Sequence, residues 1–109
     1  MSKITTLINA ILIDPKSLTQ TNGSITIEGG FIKRINGPAR GNIIDCRKYC
    51  LAPGIIDIGV HICEPGERHK ESFKSASMAA AAGGVTSIVT FPNTIPVIDN
   101  PELLEFCLL

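Results

Sequence analysis

The sequence predicts an α/β protein in which a small β module over residues 1–50 is followed, over residues 51–109, by the first βα units of a parallel barrel, incomplete in this chain. Three observations point there. The opening half holds short β-type runs and no helical pattern. From Leu51 the order becomes strand, helix, strand, helix, which calls for right-handed βαβ crossovers and a parallel sheet. A parallel pair of strands also needs helices on its faces and further strands on its edges, more than this chain provides.

The elements follow from local chemistry. Lys3 to Ile13 is rich in Ile, Leu and Thr and closes at Asp14-Pro15, a strand ended by turn residues. Ser17 to Gly23 is polar and reads as a loop. Ile25 to Glu28 and Phe31 to Ile35 flank Gly29-Gly30, the two-residue signal of a tight hairpin. Asn36-Gly37-Pro38 stops the second of these runs, and Ile43 to Asp45 is a further short strand, so the module reads as a β meander and part of a small sandwich. A helix is expected over about Lys70 to Ala82, with Phe73 and Met78 in the core, stopped by Gly83-Gly84. Val85 to Phe91 is a β-branched, buried strand. Asn100-Pro101-Glu102 supplies the cap, first-turn proline and acid of a second helix, with Phe106 in the core.

Composition narrows the functional classes. With 44% hydrophobic and 18% charged residues the chain is globular rather than disordered. Ten Lys and Arg balance ten Asp and Glu without clustering, so no nucleic acid and no membrane surface is expected as a partner, and a small molecule or another protein is. The start, MSKITTLINAILID, lacks the pattern of a signal peptide, which predicts a cytoplasmic location and reduced thiols at Cys46, Cys50, Cys63 and Cys107. Cys46 and Cys50 together with His61 and Cys63 make a conceivable set of four zinc ligands, but the spacing is not that of paired zinc knuckles.

Leu51 to Glu67, LAPGIIDIGVHICEPGE, is the stretch with the most chemistry. From Ile55 to Cys63 the residues alternate: Ile56, Ile58, Val60 and Ile62 on a packing face, Asp57, Gly59, His61 and Cys63 on the other. With APGIIDIGVHICEPGERHKES followed by AAAAGGVTSIVTFPNTIPVID, the chain resembles the opening of dihydroorotases, among the cyclic amidohydrolases that include allantoinases and hydantoinases. That family opens a metal-dependent (β/α)8 TIM-type barrel with a PGxIDxHxHxREPG signature and follows its second strand with PNTxP. The resemblance implies an active site at the C-terminal ends of the strands and zinc held in part by two histidines at i and i+2. It also implies the interconversion of dihydroorotate and carbamoyl aspartate in pyrimidine synthesis, where a metal lowers the pKa of its water for attack on a cyclic amide.

Two positions depart from the pattern. Gly59 stands where the first histidine falls, and Cys63 where the arginine before EPG falls. Glycine cannot be a ligand, and a thiol cannot make the two-pronged contact of a guanidinium with a carboxylate. The resemblance leaves His61 as the candidate metal ligand, Asn93 as the candidate contact to the substrate carboxylate, and no catalytic residue in this chain. His61 otherwise reads as a hydrogen-bonded core histidine, Asn93 as a turn residue, Asp57 as a structural carboxylate, Cys63 as a small packed thiol or a soft ligand, and His69 as a surface residue. Three functions are consistent: the opening of a working dihydroorotase acting on a cyclic amide, a non-catalytic scaffold that associates with aspartate carbamoyltransferase, or a truncated product with no function. The open strand edges predict a poorly soluble or oligomeric chain.

Overall fold

The structure, a computed structural model, describes residues 3–108. It divides into two compact units, residues 1–53 and 54–109.

The first unit is one sheet. Strand β1 (Ile4–Asp14) runs antiparallel to β2 (Thr19–Glu28), which runs antiparallel to β3 (Phe31–Ile35). On its other edge β1 pairs in parallel with β4 (Asn42–Asp45) and then with β5 (Cys50–Leu51). The sheet order β3-β2-β1-β4 is therefore a meander only in its first three strands. The parallel return of β4 corrects the simple meander expected from the sequence. Residues 19–23, expected as loop, are strand: their backbone pairs with Ala10 to Asp14, and polar side chains suit an exposed stretch of ladder. The Gly29-Gly30 hairpin is present, with φ of +58° and +81°, both positive as a mirror-image turn of type I′ requires.

Few side chains are deeply buried here, and two are threonines. Thr6 has one hydroxyl hydrogen, which it donates to Arg40 O at 2.7 Å, so Thr26 is the donor in the 3.3 Å contact between the two hydroxyls. Arg40 N–H returns a bond to Thr6 Oγ1 at 2.9 Å, fastening the 37–41 connection across the sheet. One face of the sheet is an open apolar groove of about 480 Å³ lined by residues such as Leu7, Leu12, Ile25, Ile27, Ile32 and Leu51.

The second unit is a βαβα run. Strand β6 (Ile55–Val60) lies parallel to β7 (Val85–Thr90), with helix α1 (Phe73–Ala82) between them in sequence and α2 (Pro101–Leu108) after them. Ser72 caps α1: its hydroxyl accepts from Ser75 N–H, and Ser75 Oγ accepts from Ser72 N–H. The helix ends as expected at Gly83-Gly84, where Gly83 N–H reaches Ala79 O and Gly84 takes a φ of +81°. The α2 cap is Asn100, whose Oδ1 accepts from Leu103 N–H at 2.8 Å.

Three expectations about this unit are corrected. The central strand stops at Val60, so His61, Ile62 and Cys63 lie in the following loop. The alternation from Ile55 to Cys63 does not survive either, because Gly59 is an extra residue: Ile58 pairs with Val89 and Val60 with the next residue, Thr90. Ile58, on the strand, is 79% exposed and Ile62, in the loop, only 1%, although a continuous strand would put them on one face. Finally, β6 and β7 are not buried strands, and Met78 and Phe106 are exposed rather than core; Ala76 and Ile62 are the buried apolar residues of this unit among those described.

Candidate functional site

The two bulges of the β6–β7 pair set the geometry at its C-terminal end. The first lies on β7, where Thr86 is skipped between the Ile55–Val85 and Ile56–Ser87 pairs. Gly54 leaves room for it, since a Cβ there would sit 2.2 Å from Thr86 Cγ2. The second is Gly59 on β6, with φ +99°, a backbone conformation that L side chains avoid. Each strand carries one extra residue, so the register is restored and both strands finish together.

Past that end, two loops are tied to each other. Phe91 N–H donates to Val60 O at 2.9 Å, and Ile95 N–H donates to Pro65 O at 3.2 Å. The second bond brings the chain at Ile95 so near Gly66 that a Cβ there would meet Ile95 O at 2.4 Å. Gly66, at φ +111°, satisfies both that approach and the turn. Thr94 is buried and locks its own turn, with N–H to Pro92 O at 2.9 Å and Oγ1 to Pro96 O at 2.9 Å.

Held between these ties, His61 and Asn93 meet. His61 Nδ1 lies 3.0 Å from Asn93 Oδ1, and both residues are exposed. The sequence marked each of them separately; the structure brings them together across 32 residues.

The other marked residues are placed as follows. Asp57 is exposed on β6, beside Ile88 in the ladder. Cys63 is half-buried after the strand, and its carbonyl accepts from Glu67 N–H at 2.8 Å. His69 is a surface residue, as expected. All four cysteines are free thiols, with Cys46 and Cys50 in the first unit.

Charge around the loop is organised by two carboxylates. Glu64 is only 13% exposed in its side chain; its Oε1 meets Arg68 Nε at 3.1 Å, and its Oε2 accepts from Phe73 N–H, at the start of α1, at 2.8 Å. The sequence reading placed Glu64 only within the EPG part of the family signature, and its reach to the helix start was missed. Its readable sign was a carboxylate four residues before Arg68 and shortly before the Ser72 cap. Glu67 pairs with Lys70. The hydrogen bond and charge of Lys70 hold the Glu67 carboxyl below its ordinary range, with smaller contributions from His69 and His61. The same pairing raises the Lys70 ammonium, and Cys63 adds to that.

A zinc centre needs three or four converging ligands. Among the described residues no group of three or more His, Cys, Asp or Glu converges, and one nitrogen of His61 is already engaged by Asn93. The residues present therefore do not fit a zinc centre of their own. His61 offers one further nitrogen, Nε2.

Comparison with known proteins agrees with the sequence reading. A family model described as dihydro-orotase-like matches residues 48–108. The chain is 45% identical to a dihydroorotase of Anaplasma phagocytophilum over 91% of its own length and 24% of the relative's. It is 48% identical to one of Deinococcus radiodurans, over 75% and 20% respectively. Among solved structures it resembles an L-hydantoinase (dihydropyrimidinase) of Arthrobacter aurescens, with TM-score 0.80 and 26% identity over 97% of this chain and 24% of that one. The chain spans about a quarter of the length of these relatives. Together the signature around His61 and Asn93, the βα order and the family match show that this chain belongs to the dihydroorotase-like family.

Proposed function

We propose that this chain is the opening segment of a dihydroorotase-like cyclic amidohydrolase, a β module and the first βα units of a TIM-type barrel, and that it is not a catalyst by itself. The substrate class is a cyclic amide, with dihydroorotate and carbamoyl aspartate as the pair suggested by the relatives' names and the signature. One observation carries the reading. The place of the first histidine is Gly59, a bulge residue at φ +99°, so the strand end retains His61 alone of a two-histidine pair.

What the chain's own residues do is limited and definite. Asn93 orients His61 through its Oδ1, and its NH2 group would be the donor to an anionic group such as a carboxylate. Glu64 fastens the loop to α1, and the Ile95–Pro65 bond keeps the two loops together. Zinc, when bound, would supply Lewis-acid chemistry; His61 Nε2 would be this chain's single ligand atom, and the other ligands would have to come from elsewhere. A thiol at Cys63 gives no bidentate grip on a carboxylate, a deficit of about 2–5 kcal/mol where such a contact is buried.

The test is dihydroorotate turnover by the purified chain, with and without zinc. The expected result is a rate equal to the buffer blank in both. Turnover that needs zinc and vanishes in His61→Ala would overturn the proposal.

A second reading is favoured by the same departures together with the intact Glu64-Pro65-Gly66 loop and Asn93 turn: a non-catalytic scaffold that associates with aspartate carbamoyltransferase in the cytoplasm. Co-elution of the two proteins, abolished by changes to the exposed residues Ile56 and Ile58, is its expected signature; separate elution at micromolar concentration contradicts it.

A further inference from the structure

The contact between His61 and Asn93 contains more than proximity. Val60 O accepts from Phe91 N–H just before His61, while Thr94 and Ile95 fix the backbone just after Asn93. Both side chains thus leave anchored backbone, and the 3.0 Å separation is set by the fold rather than by two loose surface residues finding each other. The atom that Asn93 presents is Oδ1. An amide oxygen has lone pairs and no hydrogen, so the ring nitrogen facing it must carry one.

We infer that Asn93 is a positioning residue that holds neutral His61 in the Nδ1–H tautomer, leaving the lone pair on Nε2. This is the reverse of the preference of a free imidazole in water, which favours hydrogen on Nε2. The hydrogen bond therefore selects a form that a solvated ring populates less, and it makes Nε2 the atom available to a metal, a proton or a ligand. The same bond occupies one lone pair of Asn93 Oδ1 and leaves its NH2 group as a donor, so one contact presets an acceptor on His61 and a donor on Asn93. The use of that pair toward a cyclic amide rests on the function proposed above; the tautomer does not.

The chain has two histidines, and exposed His69 serves as an internal reference. Two-bond proton–nitrogen correlations of the isotope-labelled full chain, recorded at about pH 8.5, some two units above the ordinary histidine value, report which nitrogen of each ring bears hydrogen. The expected spectrum has His61 with a hydrogen-bearing Nδ1 and a bare Nε2, and His69 with the opposite pattern. Asn93→Ala is expected to convert His61 to the His69 pattern, and Asn93→Asp, which keeps an oxygen at that place, to retain the Nδ1–H form. Unchanged dispersion of the amide spectrum shows that each variant is folded. A wild-type His61 with hydrogen on Nε2 overturns the inference even if no variant folds, and so does a folded Asn93→Ala chain whose His61 keeps its Nδ1–H form. Neither turnover nor zinc uptake is read, so failure here is distinct from failure of the functional proposal.

Discussion

Gly59→Ala isolates the backbone demand of the bulge. At φ +99° an L residue lies beyond even the narrow left-handed region, and holding it there costs about 1–3 kcal/mol. The space term is smaller. A Cβ at this position meets Phe91 Cζ at 3.1 Å, the tip of a half-exposed ring that can yield by a few tenths of an ångström. Backbone strain should therefore dominate, and Gly59→His, which reinstates the family's histidine, should cost nearly as much as Gly59→Ala. With a urea slope of about 2 kcal/mol per molar, a loss near 2 kcal/mol lowers the unfolding midpoint by roughly 1 M, read from amide signals of Val85–Thr90. Phe91→Ala added to Gly59→His should restore little. Equal midpoints for wild type, Gly59→Ala and Gly59→His would show that the bulge makes no backbone demand for glycine, and full rescue by Phe91→Ala would move the cause from backbone to side chain.

Other outcomes follow from the same geometry. Thr6→Val keeps the shape but removes the hydroxyl bonded to the backbone N–H and carbonyl of Arg40, and should cost about 1–3 kcal/mol in urea unfolding; a change within error means that water replaces it. Glu64→Ala removes the acceptor at Phe73 N–H and should destabilise α1 by about 1–2 kcal/mol, seen as faster amide exchange there, whereas Arg68→Ala, on the exposed side of that ion pair, should have little effect. Asp14, Asp45 and Glu67 have depressed pKa values, from Ser17, the Arg47 N–H and Lys70 respectively. The stability they contribute is complete above the unfolded carboxylate range near about pH 4 and is lost as the pH falls through their lower native values. Replacing all three by amides should flatten that part of the pH profile, and an unchanged profile contradicts the assignment. Ile58 projects its side chain into solvent, so Ile58→Lys should reduce self-association measured by light scattering without altering the fold; a wild-type chain that is monodisperse at high concentration contradicts the expected association.

Much of the chain was legible because local chemistry settled it. Gly29-Gly30 needs two positive φ angles and found them, and Gly83-Gly84 and Asn100 mark helix ends through bonds made within a few residues; the start of α1 at Phe73, capped by Ser72, lies three residues past the expected Lys70. Residues 19–23 were misread because polar composition says nothing about a strand held by backbone pairing to a neighbour. The bulge at Gly59 was invisible for a related reason. Counting alternate residues assumes an unbroken ladder, and an inserted residue at positive φ changes the facing of everything after it without changing composition. Ile58 and Ile62 were therefore assigned one environment and have opposite ones. At the site, His61 and Asn93 were each marked, but their contact depends on parallel strands ending side by side and on the Ile95–Pro65 tie, both long-range. The bulge also sharpens the departure at Gly59. The position differs from the family pattern in side chain and is also built into a conformation suited to glycine.

Zinc titrated into the purified chain by calorimetry asks whether the chain holds a metal centre of its own. The expected result is no stoichiometric site: weak, non-saturating heats in wild type and in His61→Ala, the variant losing only the weak contribution of one imidazole. Saturation at one zinc per chain with submicromolar affinity, lost in His61→Ala, would contradict it.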